Sequence, residues 1–296
     1  MAEQVSAGAI HDIGFRHYDG PRLGRGWIVR SLLVETLRGA FGLGRPAKAK
    51  VMPWILIGIL LAPPLIFVLV IVLTGMDELP TSYTQYFGAL QLIISLFLAG
   101  RAPYAVSRDL RYGVMPLYLS RPLKRDDYVF AKFGGLALAM FAILAAPETL
   151  LFAAALLAKL PVGDQLAGYA QGLVMSVILA LVLAGIGLVI AAFTTRKGLG
   201  VAAIITALVV ASAIGGILSG ILSFKERDTL GAYLSSIDPY NAVDGIATSW
   251  FSVEPRISAM SNLGFTGGLF FTAVALAIIG GSIAILRARY RKVGVV

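Results

Sequence analysis

The chain has 296 residues, 58% hydrophobic and only 14% charged, with a mean hydropathy of +0.83. A soluble domain runs nearer half apolar and a quarter charged, so the excess must face lipid, which excludes a soluble enzyme, a disordered chain and a cytosolic nucleic-acid binder. The net charge of +9 reads as topology and attraction to anionic lipid headgroups, with no nucleic-acid partner, and the absence of cysteine leaves the redox compartment unread.

Residues 1–50 carry charge throughout and have no early apolar core, so no cleavable signal peptide is expected. Residues 27–43 read as an amphipathic helix, with Ser31, Glu35, Arg38 and Gly42 on one face and Val29, Leu33, Leu37 and Ala40 opposite. Such a helix forms an elbow on the membrane surface, its apolar face sunk into the interface and Arg30 and Arg38 reaching phosphates.

Six stretches then hold no Asp, Glu, Lys or Arg, or only one: 51–76, 79–100, 133–158, 165–195, 198–224 and 257–286. About 20 apolar residues cross about 30 Å of hydrocarbon, which predicts spans near 52–74, 84–105, 133–157, 169–193, 199–222 and 264–286. Lys and Arg orient them: 21 of the 25 fall in 1–50, 101–132, 196–197 and the segment after Leu286. The predicted fold is an all-α polytopic membrane protein with six transmembrane helices and cytoplasmic N and C termini. It comprises a cytoplasmic segment 1–50, a transmembrane domain 51–290 and a cytoplasmic tail 287–296.

Two outer connections are tight, near 76–80 and 159–167; the third, 223–262, is long. In it Asp238 reads as a helix N-cap followed by Pro239 at the first helical position, with Tyr240, Val243, Ile246, Ala247 and Trp250 at helical spacing. This predicts a short helix before the last span, either lying at the outer interface with Trp250 at headgroup depth or re-entrant, closing the outer end of the bundle. The pairs Gly168 and Gly172, Gly216 and Gly220, and Gly264 and Gly268 have the spacing that lets helices approach closely.

Little here supports catalysis. His11 and His17 both lie in the N-terminal segment, no HExxH occurs, and the dipeptide Gly-Lys is absent, so the chain has no P-loop for ATP. No cofactor or metal is expected in this chain. Asp126 and Asp127, amid Lys124 and Arg125, read as the first turn of a helix. Glu148, the one acid inside a predicted span, follows Pro147. It reads either as a carboxylate on a translocation path or as a hydrogen-bonded group at a packing kink.

The segment 107–132 mixes charge with Leu117, Tyr118 and Leu119 and is broken by Gly113 and Pro116. Two readings fit it, a docking surface for a partner protein and a simple loop resting on lipid. Its pattern is Ser107-Arg108-Asp109, then Gly113, then Leu119-Ser120-Arg121-Pro122-Leu123, then Tyr128 and Lys132. This resembles the loop between spans two and three of ABC-2-type transporter permeases. The six-span layout, the N-terminal amphipathic helix and the stretch 239–245 before the last span agree, and Asp19-Gly20-Pro21-Arg22 looks like actinobacterial members.

The resemblance implies a multi-pass permease of the bacterial plasma membrane, working as an exporter. It would pair with a second copy or a close paralogue and bind two separate ATPase subunits that hold ATP and magnesium. The implied ATPase contact is the coupling helix within 107–132, carried by Arg108, Asp109, Arg111, Tyr112, Gly113, Tyr118, Leu119, Arg121, Pro122, Lys124 and Arg125. The competing readings are a secondary transporter or channel using Glu148 and a non-transporting membrane scaffold.

The charge asymmetry gives a direct test. Lys124→Cys and Arg196→Cys are expected to label only from the cytoplasm and Ser236→Cys only from outside; cytoplasmic labelling at 236 would overturn the six-span reading.

Overall fold

The computed structural model describes residues 20, 23–75, 79, 81–120, 122–194, 196–261 and 263–292. The expectations placed on His11, His17, the turn 76–80 and most of the Asp19-to-Arg22 stretch fall on residues outside these, wholly or in large part. Every regular element among the described residues is helical.

Helix α1 (Arg25–Ala40) leads through a short turn into α2 (Ala47–Thr74). The helix expected at 27–43 thus begins two residues earlier, and its buried stripe runs along Leu32, Thr36, Gly39 and Ala40, packed against the sixth and fourth helices. The sequence put Val29, Leu33, Leu37 and Ala40 against lipid. Protein covers this side instead, because Gly135 leaves room for Thr36 and the Leu33 carbonyl where a Cβ would stand 2.7 and 2.8 Å from them.

The expected span 84–105 is broken. A short helix α3 (Gln85–Ala89) stops at Leu90, and α4 runs Gln91–Arg111, well past the predicted end. The expected end at 105 falls before the charged turn, but Arg108, Asp109 and Arg111 ride on the same helix, whose last turn is closed by Gly113. At 21 residues α4 is about 31 Å long. It is the innermost helix, with Ile94, Phe97, Leu98, Ala99 and Ala102 fully buried among its neighbours.

A one-turn helix α5 (Met115–Leu119) then leads to α6 (Arg125–Leu157), α7 (Val162–Phe193) and α8 (Lys197–Phe224). The first turn of α6 contains Asp126 and Asp127, as the sequence indicated, favourable for the positive end of a helix dipole. Beyond α8 a helix that the sequence did not reveal, α9 (Asp228–Ser235), folds back along it. Then come α10 (Pro239–Phe251), a single 3₁₀ turn Ser258–Met260 and α11 (Gly264–Lys292). Among the described residues five helices are long and apolar enough to cross a membrane: α2, α6, α7, α8 and α11.

Helix α10 starts where the sequence placed it: Asp238 caps it by accepting a hydrogen bond from the Tyr240 backbone N–H at 3.0 Å. Residues Pro239 through Thr248 are all buried, with α11 and α7 packed against them, so the helix is inserted into the bundle and does not lie along its surface. Only its end emerges, where the Trp250 indole N–H donates to the Thr272 hydroxyl at 3.1 Å.

Prolines inside α2 raise an accounting problem. Pro64 has no N–H, so the Leu60 carbonyl loses its helical donor at a depth where water cannot replace it. The Tyr86 hydroxyl, from α3, donates to that carbonyl. Tyr86→Phe should therefore destabilise the protein by about 1 kcal/mol, read as a lowered unfolding temperature in detergent. Tyr233→Phe, a ring packed edge-on to Phe270, should change it far less.

Candidate functional site

One end of the bundle gathers the basic residues. Here α1, the α4–α6 connection, the first turn of α6 and the last turns of α11 meet, and most of the joints fall on α6. Arg25 of α1 holds Asp127 through two guanidinium nitrogens, at 2.6 and 2.5 Å. Arg287 of α11 holds Asp126 in the same way, at 2.9 and 2.5 Å. Arg125 donates to the Arg291 carbonyl at 2.6 Å. Two adjacent acids thereby tie one helix to both the start and the end of the described chain.

A more buried joint lies beneath. Asp109 of α4 accepts from the Tyr128 hydroxyl at 2.7 Å and pairs with the Lys132 ammonium at 3.0 Å. Lys132 is buried, and the Tyr128 ring is enclosed by Tyr118 and Tyr290, with ring centres 5.6 and 5.1 Å away. Two residues before Asp109, the Ser107 hydroxyl donates to the Ala191 carbonyl at 2.9 Å, fixing α4 to α7. The end of α4 is thus held from both sides.

Between these roots the chain projects. Gly113 takes φ +59, and the Val114 and Gly113 N–H groups return to the carbonyls of Asp109 and Leu110, closing α4 with a glycine in the left-handed region. A Cβ at Gly113 would meet no neighbour, so the requirement is conformational, not steric. Met115 and Leu123 turn inward and anchor the connection, while Tyr112 is 66% and Leu117 71% exposed.

The eleven residues expected at the ATPase contact fall into distinct environments. Arg108, Arg111, Tyr112, Gly113, Pro122 and Lys124 are exposed. Tyr118 and Arg125 are half-buried, and Asp109 is turned into the buried joint. Leu119 ends α5, and Arg121 lies outside the described residues. The wall opposite the loop was missed: α1 and Tyr104 face it across a cavity of about 360 Å³ that Glu35, Arg108, Tyr112 and Leu117 also line. The available signals were the adjacent pair Gly134 and Gly135 and an aromatic, Tyr104, three residues after Arg101.

Glu148 is elsewhere. It is 0% exposed, within the α6–α7 crossing, and the Ser176 hydroxyl donates to its Oε2 at 3.1 Å. Its Oε1 has no hydrogen-bond partner among the described residues. Gly172 of α7 and Tyr83 close over it: a Cβ at Gly172 would stand 2.7 Å from Oε1. Arg101, the buried cation of α4, lies against the Met52 sulfur at 3.4 Å.

The sequence matches the family described as ABC-2 family transporter protein over residues 50–292, and the chain belongs to that family. It is a membrane transport component and not itself catalytic. A comparison with curated proteins finds no match.

The buried joint carries a prediction. Asp109→Leu alone strands the Lys132 ammonium and should cost about 3–5 kcal/mol of stability, whereas Asp109→Leu with Lys132→Met should recover most of it. A double-mutant cycle on thermal unfolding in detergent measures the difference.

Proposed function

We propose that this chain is the membrane-spanning permease subunit of an ATP-driven exporter in the bacterial plasma membrane. The helix α4 serves as the second of six spans, and both termini, with the basic end, are cytoplasmic. Two copies, or this chain and a close paralogue, form the path, and two separate ATPase subunits bind ATP and magnesium and drive it. The connection between α4 and α6 is the coupling element.

One observation carries this reading. Tyr112 and Leu117 project into solvent from a segment whose two roots are fixed by the Asp109–Lys132 pair on one side and the Asp126–Arg287 and Asp127–Arg25 pairs on the other. A loop resting on lipid has no need of a rigid base. A transmitting contact needs both an exposed aromatic or apolar anchor and a base that does not yield. Family membership supplies the reaction class, and the fixed charge distribution supports the orientation.

Tyr112→Ala with Leu117→Asp removes the two exposed anchors without touching the base. Loss of anchors of this kind is expected to weaken ATPase retention on purified permease by about thirtyfold or more and to lower ATP hydrolysis in proportion, with expression near normal. Arg227→Ala, exposed near the end of α8 opposite the α7–α8 turn, should leave both unchanged. Unaltered retention in the double variant would overturn the coupling assignment.

A further inference from the structure

We propose that the cleft formed by α1, the turn that follows it and Tyr104 of α4, with Arg30, Arg38 and Arg45 on its wall, is a headgroup site for an anionic phospholipid. The cleft has a volume of about 630 Å³, within the range of small-ligand sites. Its polar wall is basic: Arg30, Arg38 and Arg45 line it, with Glu35 the one acid among its lining residues. No ion pair joins any of these arginines to an acid among the described residues; the pairs present are those of Arg25, Lys132 and Arg287.

The site is built and not merely charged. The Arg45 guanidinium sits 3.2 Å from the centre of the Tyr104 ring, which holds it in place; Arg108 lies 4.9 Å from the same centre. The floor is Gly39, where a Cβ would stand 3.0 Å from that ring and 3.6 Å from Arg45. Burial, then the like charges of Arg108 and Arg101, push the Arg45 guanidinium below its ordinary value, and Glu35 offsets this only in part. Among the described residues Glu35 is the one anion offered to these guanidinium groups at the cleft. Phosphate oxygens accept from guanidinium groups in the geometry arginine presents.

Position selects a lipid over a free anion or an acidic protein. Arg45 lies two residues before α2, and within the next two turns α2 exposes Val51, Met52, Trp54 and Ile55, the lipid-facing start of a span. Trp27, Val34 and Leu43 rim the same cleft and are exposed, giving acyl chains an apolar exit beside the charged wall. The inference needs only that α2 enters lipid and stands apart from the ATPase reading.

The test is native mass spectrometry on the full chain in detergent. It is titrated with palmitoyl-oleoyl phosphatidylglycerol, with the phosphatidylcholine of the same chains and with inorganic phosphate. Phosphatidylglycerol should be retained well above phosphatidylcholine, and R30Q/R38Q/R45Q should weaken that retention by about a hundredfold, each basic residue contributing about fivefold. R30K/R38K/R45K, which keeps the charge, should retain most of it; K225Q/R227Q should behave as the native chain. In the native chain, phosphatidylglycerol should also raise the unfolding temperature more than phosphatidylcholine does, a measurement that stands if the triple variant does not fold. Equal retention of the two lipids by the native chain, or unchanged phosphatidylglycerol retention in R30Q/R38Q/R45Q, overturns the proposal. Protection by inorganic phosphate equal to that of the lipid overturns it in favour of a free-anion site. Lost ATPase retention with lipid retention intact overturns it in favour of a protein-docking surface.

Discussion

No hydrophobic force draws two helices together inside lipid, since acyl chains are as apolar as leucine; close backbone approach and fitted side chains must do it. The fold depends on α7 meeting this constraint. Along its length a Cβ would collide with Glu148 at Gly172, with Ser282 at Gly185, and with Leu98 and Ala102 at Gly187. Three glycines thus admit three different helices, α6, α11 and α4, to one central post. The same constraint explains why α2 and α8 carry so much exposed Leu, Ile and Val: they pack less closely on the post and present their surface to lipid.

The second demand is that polar groups find partners where water is absent. Tyr86 answers it for α2. At the end of the bundle opposite the basic cluster the answer is a connected network. The Gln91 side chain donates to the Ser212 hydroxyl and accepts from the Arg256 guanidinium, its backbone carbonyl accepts from Tyr240, and the Arg256 backbone N–H donates to Asp244. This network joins α4, α8, α10 and the segment before α11, and it accounts for α10 being drawn inward. Gly88 is part of the fit, because the Arg256 side chain occupies the space a Cβ would need.

The sequence was legible where a local rule decides the outcome. Asp238-Pro239 started a helix, Asp126 and Asp127 fell in a first turn, and the long apolar runs became long helices. It was illegible where a distant partner decides. The expected spans stop at 105 and start at 133, yet α4 and α6 run through the charged turns beyond those bounds because Asp109, Lys132 and the two acids find partners on other elements. The short helix α9 has no apolar run of its own and exists against α8. Glycine spacing was similarly ambiguous: Gly172 and Gly268 sit in close contacts, whereas nothing lies within 4 Å of a Cβ at Gly216 or Gly220. Of the site, the projecting segment and Gly113 were readable, but its opposite wall was not, since α1 reaches it only through packing on Gly135.

Exposed ion pairs such as Arg25–Asp127 add little stability; what they contribute at the basic end is geometry. They converge on the first turn of α6, and one turn or so further on Lys132 joins the same helix to α4, so α1, α4 and α11 are all fixed to the start of α6. Further along α6, Pro147 removes one rung of the helix by freeing the Ile143 carbonyl. The next residue, Glu148, is held from α7 by the Ser176 hydroxyl. The helix is therefore gripped at its start and lacks one backbone hydrogen bond where it crosses the central post. At the α6–α7 crossing a missing helical hydrogen bond and a buried carboxylate thus fall side by side.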